Sequence, residues 1–119
     1  MKIQESGEMY LEYILLLQQS MENVRAIDIV NMSGYSKPSI SRALGLLKNK
    51  DLITVDKNGH ITLTESGESK AKKIYERHQI LHEFLMKIGV SEETADKDAC
   101  KIEHIVSDET IEAIKKQLY

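Results

Sequence analysis

Cys100, Glu103 and His104 stand close together near the C-terminus, with Asp96 one helical turn earlier. On a helix that turns ~100° per residue, these four side chains fall within an arc of about 100°. Thiolate, carboxylate and imidazole would then share one face. Upstream, His78 and His82 stand at i, i+4, at the edge of an apolar stripe formed by Ile74, Leu81, Phe84, Leu85 and Ile88. Imidazole and sulfur together suit Fe, Co, Ni or Zn, whereas oxygen-only sites suit Mg or Mn. Taken singly, each residue has a plainer reading: a helical His at a core edge, a lone Cys as a small buried hydrophobe, a solvated Glu. Cys-x-x-Glu-His beside His-x-x-x-His points instead to a transition-metal site. A catalytic Cys–His pair fits less well, because Cys100 and His104 share a helix and no Gly-rich nucleophile turn accompanies them. The chain therefore reads as a non-enzyme, with no catalytic residue assigned.

A second group of residues suits phosphate and base edges. Ser36, Lys37, Ser39, Ser41 and Arg42 form the polar face of a short helix opened by Pro38. Arg can bond guanine bidentately, and Ser can donate or accept. Lys57 lies in the hairpin turn that follows, where it would reach phosphate. Arg25 and Lys48 complete the candidate DNA-facing set. Residues 24–57 carry six Lys/Arg against three acids, although the whole chain has a net charge of −3. Residues 65–119 carry nine basic residues against twelve acids. One part of the chain is thus suited to face phosphate while another holds the acidic chemistry.

The elements that must position these groups follow from periodicity. Apolar residues from Met9 to Gln19 recur at helical spacing. Asn23 is the expected N-cap of a helix over Arg25–Met32, stopped by Gly34. The next helix has one apolar face of Ile40, Ala43, Leu44 and Leu47, and ends near Asn49-Lys50-Asp51. Leu52–Val55 and His60–Leu63 form a hairpin whose turn is set by Asn58-Gly59, both tolerant of φ > 0. A long helix then runs from about Thr64 to Ile88, and Gly89 stops it. Further helices are expected from Ser91 to about Val106, and from Ser107 to Leu118. Helix, turn, helix, hairpin is the order of a winged helix-turn-helix. The fold class is mainly α with a small β-hairpin wing, divided into a DNA-binding domain over residues 1–64 and a helical domain over 65–119.

Composition agrees with these readings. The chain has 119 residues, of which 41% are hydrophobic and 29% charged, as in a soluble globular protein. Its longest apolar run, Ile14-Leu15-Leu16-Leu17, is far too short to span a membrane. No apolar leader is evident, and Cys100 is the only cysteine, so a reducing cytoplasm is the expected compartment.

The chain resembles the diphtheria-toxin-repressor family of metal-dependent transcriptional regulators over essentially its whole length. The resemblance is carried by Glu8-Met9-Tyr10-Leu11-Glu12, Val24-Arg25-Ala26-Ile27-Asp28-Ile29, Ser36-Lys37-Pro38-Ser39-Ile40-Ser41-Arg42, Ile61-Thr62-Leu63-Thr64-Glu65-Ser66-Gly67 and Arg77-His78. Asp98-Ala99-Cys100-Lys101-Ile102-Glu103-His104 is the most specific piece. The resemblance implies a winged-helix domain followed by a dimerisation domain, in the short two-domain form that lacks an SH3-like third domain. It implies a primary metal site of Met9, Cys100, Glu103 and His104. It also implies an ancillary site at His78, with His82 and Asp96 standing where relatives often carry Glu and His. Glu12 matches a carboxylate ligand of manganese-type members. Those members carry acids at the Met9 and Cys100 positions, so the sulfur donors here favour Fe(II), with Mn(II) next and Zn, Co or Ni as test-tube ligands. The implied activity is repression of metal-uptake genes by a homodimer bound to palindromic operator DNA, with no membrane partner and no small-molecule substrate. Two rivals are a metal-independent winged-helix regulator with Cys100 as redox sensor, and a metal-dependent hydrolase.

Overall fold

The computed structural model describes residues 2–119, and their side chains from Gly7 onward. Six helices and one hairpin follow in the order α1 (Lys2–Ser20), α2 (Ala26–Ser33), α3 (Lys37–Asn49), β1 (Ile53–Val55), β2 (Ile61–Leu63), α4 (Glu65–Lys87), α5 (Glu92–Ile102) and α6 (Asp108–Leu118). They form two compact units, residues 1–72 and 73–119, so the division falls inside α4 rather than at its start.

In the first unit, Leu11 and Ile14 of α1, Ile29 of α2, Ile40 of α3 and Ile53 of β1 are almost wholly buried. These positions carry the apolar periodicity of each element, and their burial is the main drive for its docking. Between α1 and α2 the chain bends at Glu22 and Asn23 and is extended at Val24 and Arg25. The Ile61 N–H donates to the Val24 carbonyl at 2.7 Å, which adds a one-bridge third strand to the wing. Asn23 is therefore not the cap of α2. Arg25 is, and its N–H donates to Asp28 Oδ2 at 2.8 Å, three residues on. Gly34 closes α2 at φ 77, in the left-handed region that favours glycine. Ser36 caps α3, accepting from the Ser39 N–H, with Pro38 in the first turn where its missing N–H costs nothing.

The hairpin pairs Ile53 with Leu63, Thr54 with Thr62 and Val55 with Ile61. Its turn differs from the one expected. Gly59 has φ 81, but Asn58 is not in the left-handed region. Asp56 Oδ1 accepts from the Asn58 and His60 N–H groups, and the Gly59 N–H donates to the Asp56 carbonyl. The loop is thus three residues long with glycine at the bulge, because the Asp56 carboxylate organises it.

The second unit is built on Ile80 and Leu81 of α4, Ala99 of α5 and Ile111 of α6, with Ile102, Val106, Ile114 and Leu118 packed against them. Ser91 and Ser107 cap α5 and α6, each accepting from the N–H three residues on. Helix α5 ends at Ile102, four residues short of Val106. The reason lies on α4. Arg77 Nη1 donates to the Glu103 carbonyl at 3.2 Å and to the Val106 carbonyl at 2.9 Å. The same guanidinium pairs with Asp108, holding that carboxyl below the usual carboxylate range. A half-buried guanidinium thus donates to the carbonyls that a continuing helix would have bonded internally.

Candidate metal centre

His78 projects from α4 toward α5. Its Nδ1 lies 2.9 Å from Glu103 Oε1 and 3.7 Å from Cys100 Sγ, and its Nε2 lies 3.0 Å from Asp96 Oδ1. A carboxylate can only accept, so a ring with a carboxylate at each nitrogen must donate from both, as imidazolium. The Cys100 hydrogen bond first, and the Glu103 hydrogen bond next, raise the His78 pKa from 6.5 to about 11 against the opposing effect of burial. The proton sits where a cation is wanted.

Glu103 states the same demand more sharply. Its side chain is fully buried, and its Oε2 has no hydrogen-bond partner among the described residues. Leaving a buried carboxylate oxygen unpaired is costly, and native structures seldom do so without a ligand or ion. The donor atoms of His78, Cys100 and Glu103 all lie within 4.8 Å of one another. Donor atoms this close can converge on one ion through the ~2.0–2.3 Å bonds that a transition metal makes to N, O or S. The buried orphan oxygen and the mixed N, O, S donors therefore fit a divalent transition metal.

The other expected ligands are placed as follows. Asp96 is an exposed partner of His78 Nε2. His82 stacks its ring on that of His78, centroids 6.2 Å apart, and is not among the three grouped donors. His104 is part-buried and lies beyond the end of α5, in the turn that Arg77 organises. Met9 and Glu12 belong to α1 of the first unit. The Tyr35 hydroxyl donates to Met9 Sδ at 3.1 Å, and Glu12 is buried.

The expected DNA-facing residues form a solvent-exposed set on the first unit. Lys37, Pro38, Ser41, Arg42 and Lys48 are exposed on α3, Arg25 at the start of α2, and Lys57 at the tip of the wing. Ser36 and Ser39 are tied to each other, Oγ to Oγ at 2.9 Å, as part of the α3 cap. Arg25 Nη2 lies 3.0 Å from His60 Nε2, so the wing holds that guanidinium in place.

Residues 64–119 match the family described as iron dependent repressor, metal binding and dimerisation domain. The transcriptional regulator MntR of Escherichia coli O6:H1 is 37% identical over 106 residues, covering 89% of this chain and 68% of that protein. An uncharacterised HTH-type transcriptional regulator of Methanocaldococcus jannaschii is 31% identical over 113 residues, covering 93% of this chain and 90% of that one. This chain belongs to the diphtheria-toxin-repressor family. Among solved structures, a manganese-dependent transcriptional repressor in complex with manganese superposes with a TM-score of 0.86 at 28% identity, over 94% of this chain and 52% of that one. The chain thus spans about half the length of such solved relatives. Membership in the repressor family supports a divalent metal as the ion this protein binds.

Sequence reasoning missed one member of the site. Arg77 touches no expected ligand side chain, yet it fixes the turn carrying Glu103 and His104. Its position next to His78 in the Arg77-His78 pair was the available signal.

Proposed function

We propose that this protein is a metal-activated repressor that binds palindromic operator DNA as a homodimer through α3 and the wing. The buried Glu103 carboxylate, with one oxygen unpartnered beside His78 and Cys100, carries the metal half of this reading. The exposed basic face of Arg25, Lys37, Arg42, Lys48 and Lys57 supports the DNA half. Cys100, Glu103 and His104 would hold the ion together with Met9, the donor that the family resemblance adds from α1. His78, Asp96 and His82 would serve the neighbouring site, and Glu12 would add a carboxylate. A divalent ion held there would supply positive charge and fixed directional bonds to these side chains. The DNA-competent form would be favoured by as much as the ion's affinities for the two forms differ, typically ~1–3 kcal/mol.

Fe(II) is the proposed physiological ion, because a thioether and a thiol at Met9 and Cys100 are softer donors than Mn(II) selects. Mn(II) is the second reading, favoured by the relatives named for manganese. The proposed regulatory targets are metal-uptake genes. The test is anaerobic operator binding titrated with Fe(II), Mn(II) and Zn(II). Metal-stimulated binding, lost in His104→Ala while the fold persists, is the expected result. Operator binding that ignores metal but responds to Cys100 oxidation would replace this reading with the redox-sensor one.

A further inference from the structure

The first unit contains a cavity of about 330 Å³ bordered by α1, α3 and the start of α4. Its wall is apolar where Leu11, Ala43, Leu47 and Leu52 meet. Its lining also carries the cations Arg42, Lys50 and Lys70 against the one carboxylate of Glu8. None of these three cations forms an ion pair with a described residue. The volume is at the small end of those that take organic ligands.

Gly7 is the second observation. It lies within α1 and lines the cavity. A Cβ added there would meet only Leu47 Cδ2, at 3.6 Å, an ordinary contact, and its φ is not positive. Neither conformation nor close approach requires glycine, a poor helix former, at this position. Its effect is to leave the cavity open.

Cations alone would serve a DNA phosphate, but a phosphodiester has no use for an apolar recess beneath them. An apolar recess under a cluster of cations matches a molecule with a short hydrocarbon body and one anionic end. We propose that this cavity binds a small amphiphilic carboxylate of the medium-chain fatty acid class. Its head would lie among Arg42, Lys50 and Lys70, and its chain against Leu11 and Leu47. Arg42 belongs also to the face proposed for the operator, so an occupied cavity draws that cation away from DNA. This last consequence rests on the DNA-binding reading above.

Decanoate is the probe, titrated into the metal-free full chain without DNA and followed by ¹H–¹⁵N NMR. Saturable binding is expected, with 1-decanol about ten-fold weaker because it lacks the charge. Lys50→Gln with Lys70→Gln should weaken decanoate by about ten-fold as well. Gly7→Leu should abolish binding by filling the cavity, without lowering Tm, since leucine is the better helix former. Leu46→Glu, at a half-exposed lining position, should do the same by charge repulsion. Equal binding of decanoate and decanol, or undiminished binding in both Gly7→Leu and Leu46→Glu, overturns the site. Decanoate should also release operator DNA from the metal-loaded wild type but not from Gly7→Leu. Equal release from both overturns the coupling, while the binding arm, free of metal and DNA, stands or falls independently of the DNA reading.

Discussion

Filling the metal centre should expel a proton from His78, and the pH dependence of metal binding should show it. In the metal-free protein the imidazole donates to Glu103 and Cys100 from Nδ1 and to Asp96 from Nε2. Its pKa is raised from 6.5 to about 11, chiefly by Cys100 and then by Glu103. A metal ligand must offer a lone pair, so a bound ion takes the place of one ring proton. Between pH 6.5 and the folded value, each unit of pH should raise apparent metal affinity about ten-fold through His78, or ~1.4 kcal/mol. The same shift governs stability with the opposite sign. A pKa raised on folding stabilises the metal-free protein fully below pH 6.5, and that stability is lost as pH rises toward about 11. The expected slope is a loss of ~1.4 kcal/mol per pH unit within that window. Calorimetric titration of Zn(II) at pH 8, in two buffers of different ionisation enthalpy, counts the protons released. His78→Gln should release about one fewer than the wild type, whatever Cys100 contributes. Equal proton counts, together with metal-free stability that is flat from pH 7 to 9, would refute the imidazolium assignment.

Three further outcomes are expected. Arg42→Ala should lose ~1–3 kcal/mol of operator affinity and relax sequence preference while metal affinity stays near wild type, as read by anaerobic gel shift and metal titration. Met9→Asp with Cys100→Glu should raise the Mn(II)-to-Fe(II) ratio of activation in the same assay, because hard oxygen replaces sulfur. Gly67→Ala should destabilise the first unit by ~1–3 kcal/mol in urea unfolding, because a Cβ there would fall 1.9 Å from the Leu52 carbonyl oxygen.

What the sequence made legible was whatever depends on short-range periodicity. The α2–turn–α3 unit, the glycine stop at Gly34 and the Ser36, Ser91 and Ser107 caps are local devices, each set by a few neighbouring residues. Departures arose where a group outside the expected pattern took over a backbone atom. The Val24 carbonyl is taken by Ile61, so Val24 is extended and the helix starts later than an Asn23 cap would have set it. The Asp56 carboxylate takes the Asn58 and His60 N–H groups, so the hairpin turns over three residues and Asn58 keeps a negative φ. Asp51 is the complement: at φ 59 it fills the left-handed position after α3 that glycine usually takes. Its carbonyl accepts the Thr64 hydroxyl at 2.7 Å, a tie to the start of α4 that no local pattern announces.

The candidate site shows the same division at the level of chemistry. Donor types and the i, i+4 spacings were visible in the chain, and Asp96 and Cys100 do lie together on α5. A helical projection carried on to Val106 fails, because Arg77 holds the Glu103 and Val106 carbonyls in the turn just past the end of α5. That ending matters for function. Glu103 is the last residue in helical conformation, its N–H donating to the Ala99 carbonyl, and its carboxylate is fully buried with one oxygen unpaired. His78, which the resemblance assigns to the ancillary set, reaches that carboxylate and Cys100 through a single nitrogen. A side chain shared in this way would make the protonation of one set depend on the filling of the other. Arg77 is therefore a positioning residue for the metal cluster as much as for the fold. Its neighbour in sequence, His78, is where a bound metal would compete with the proton.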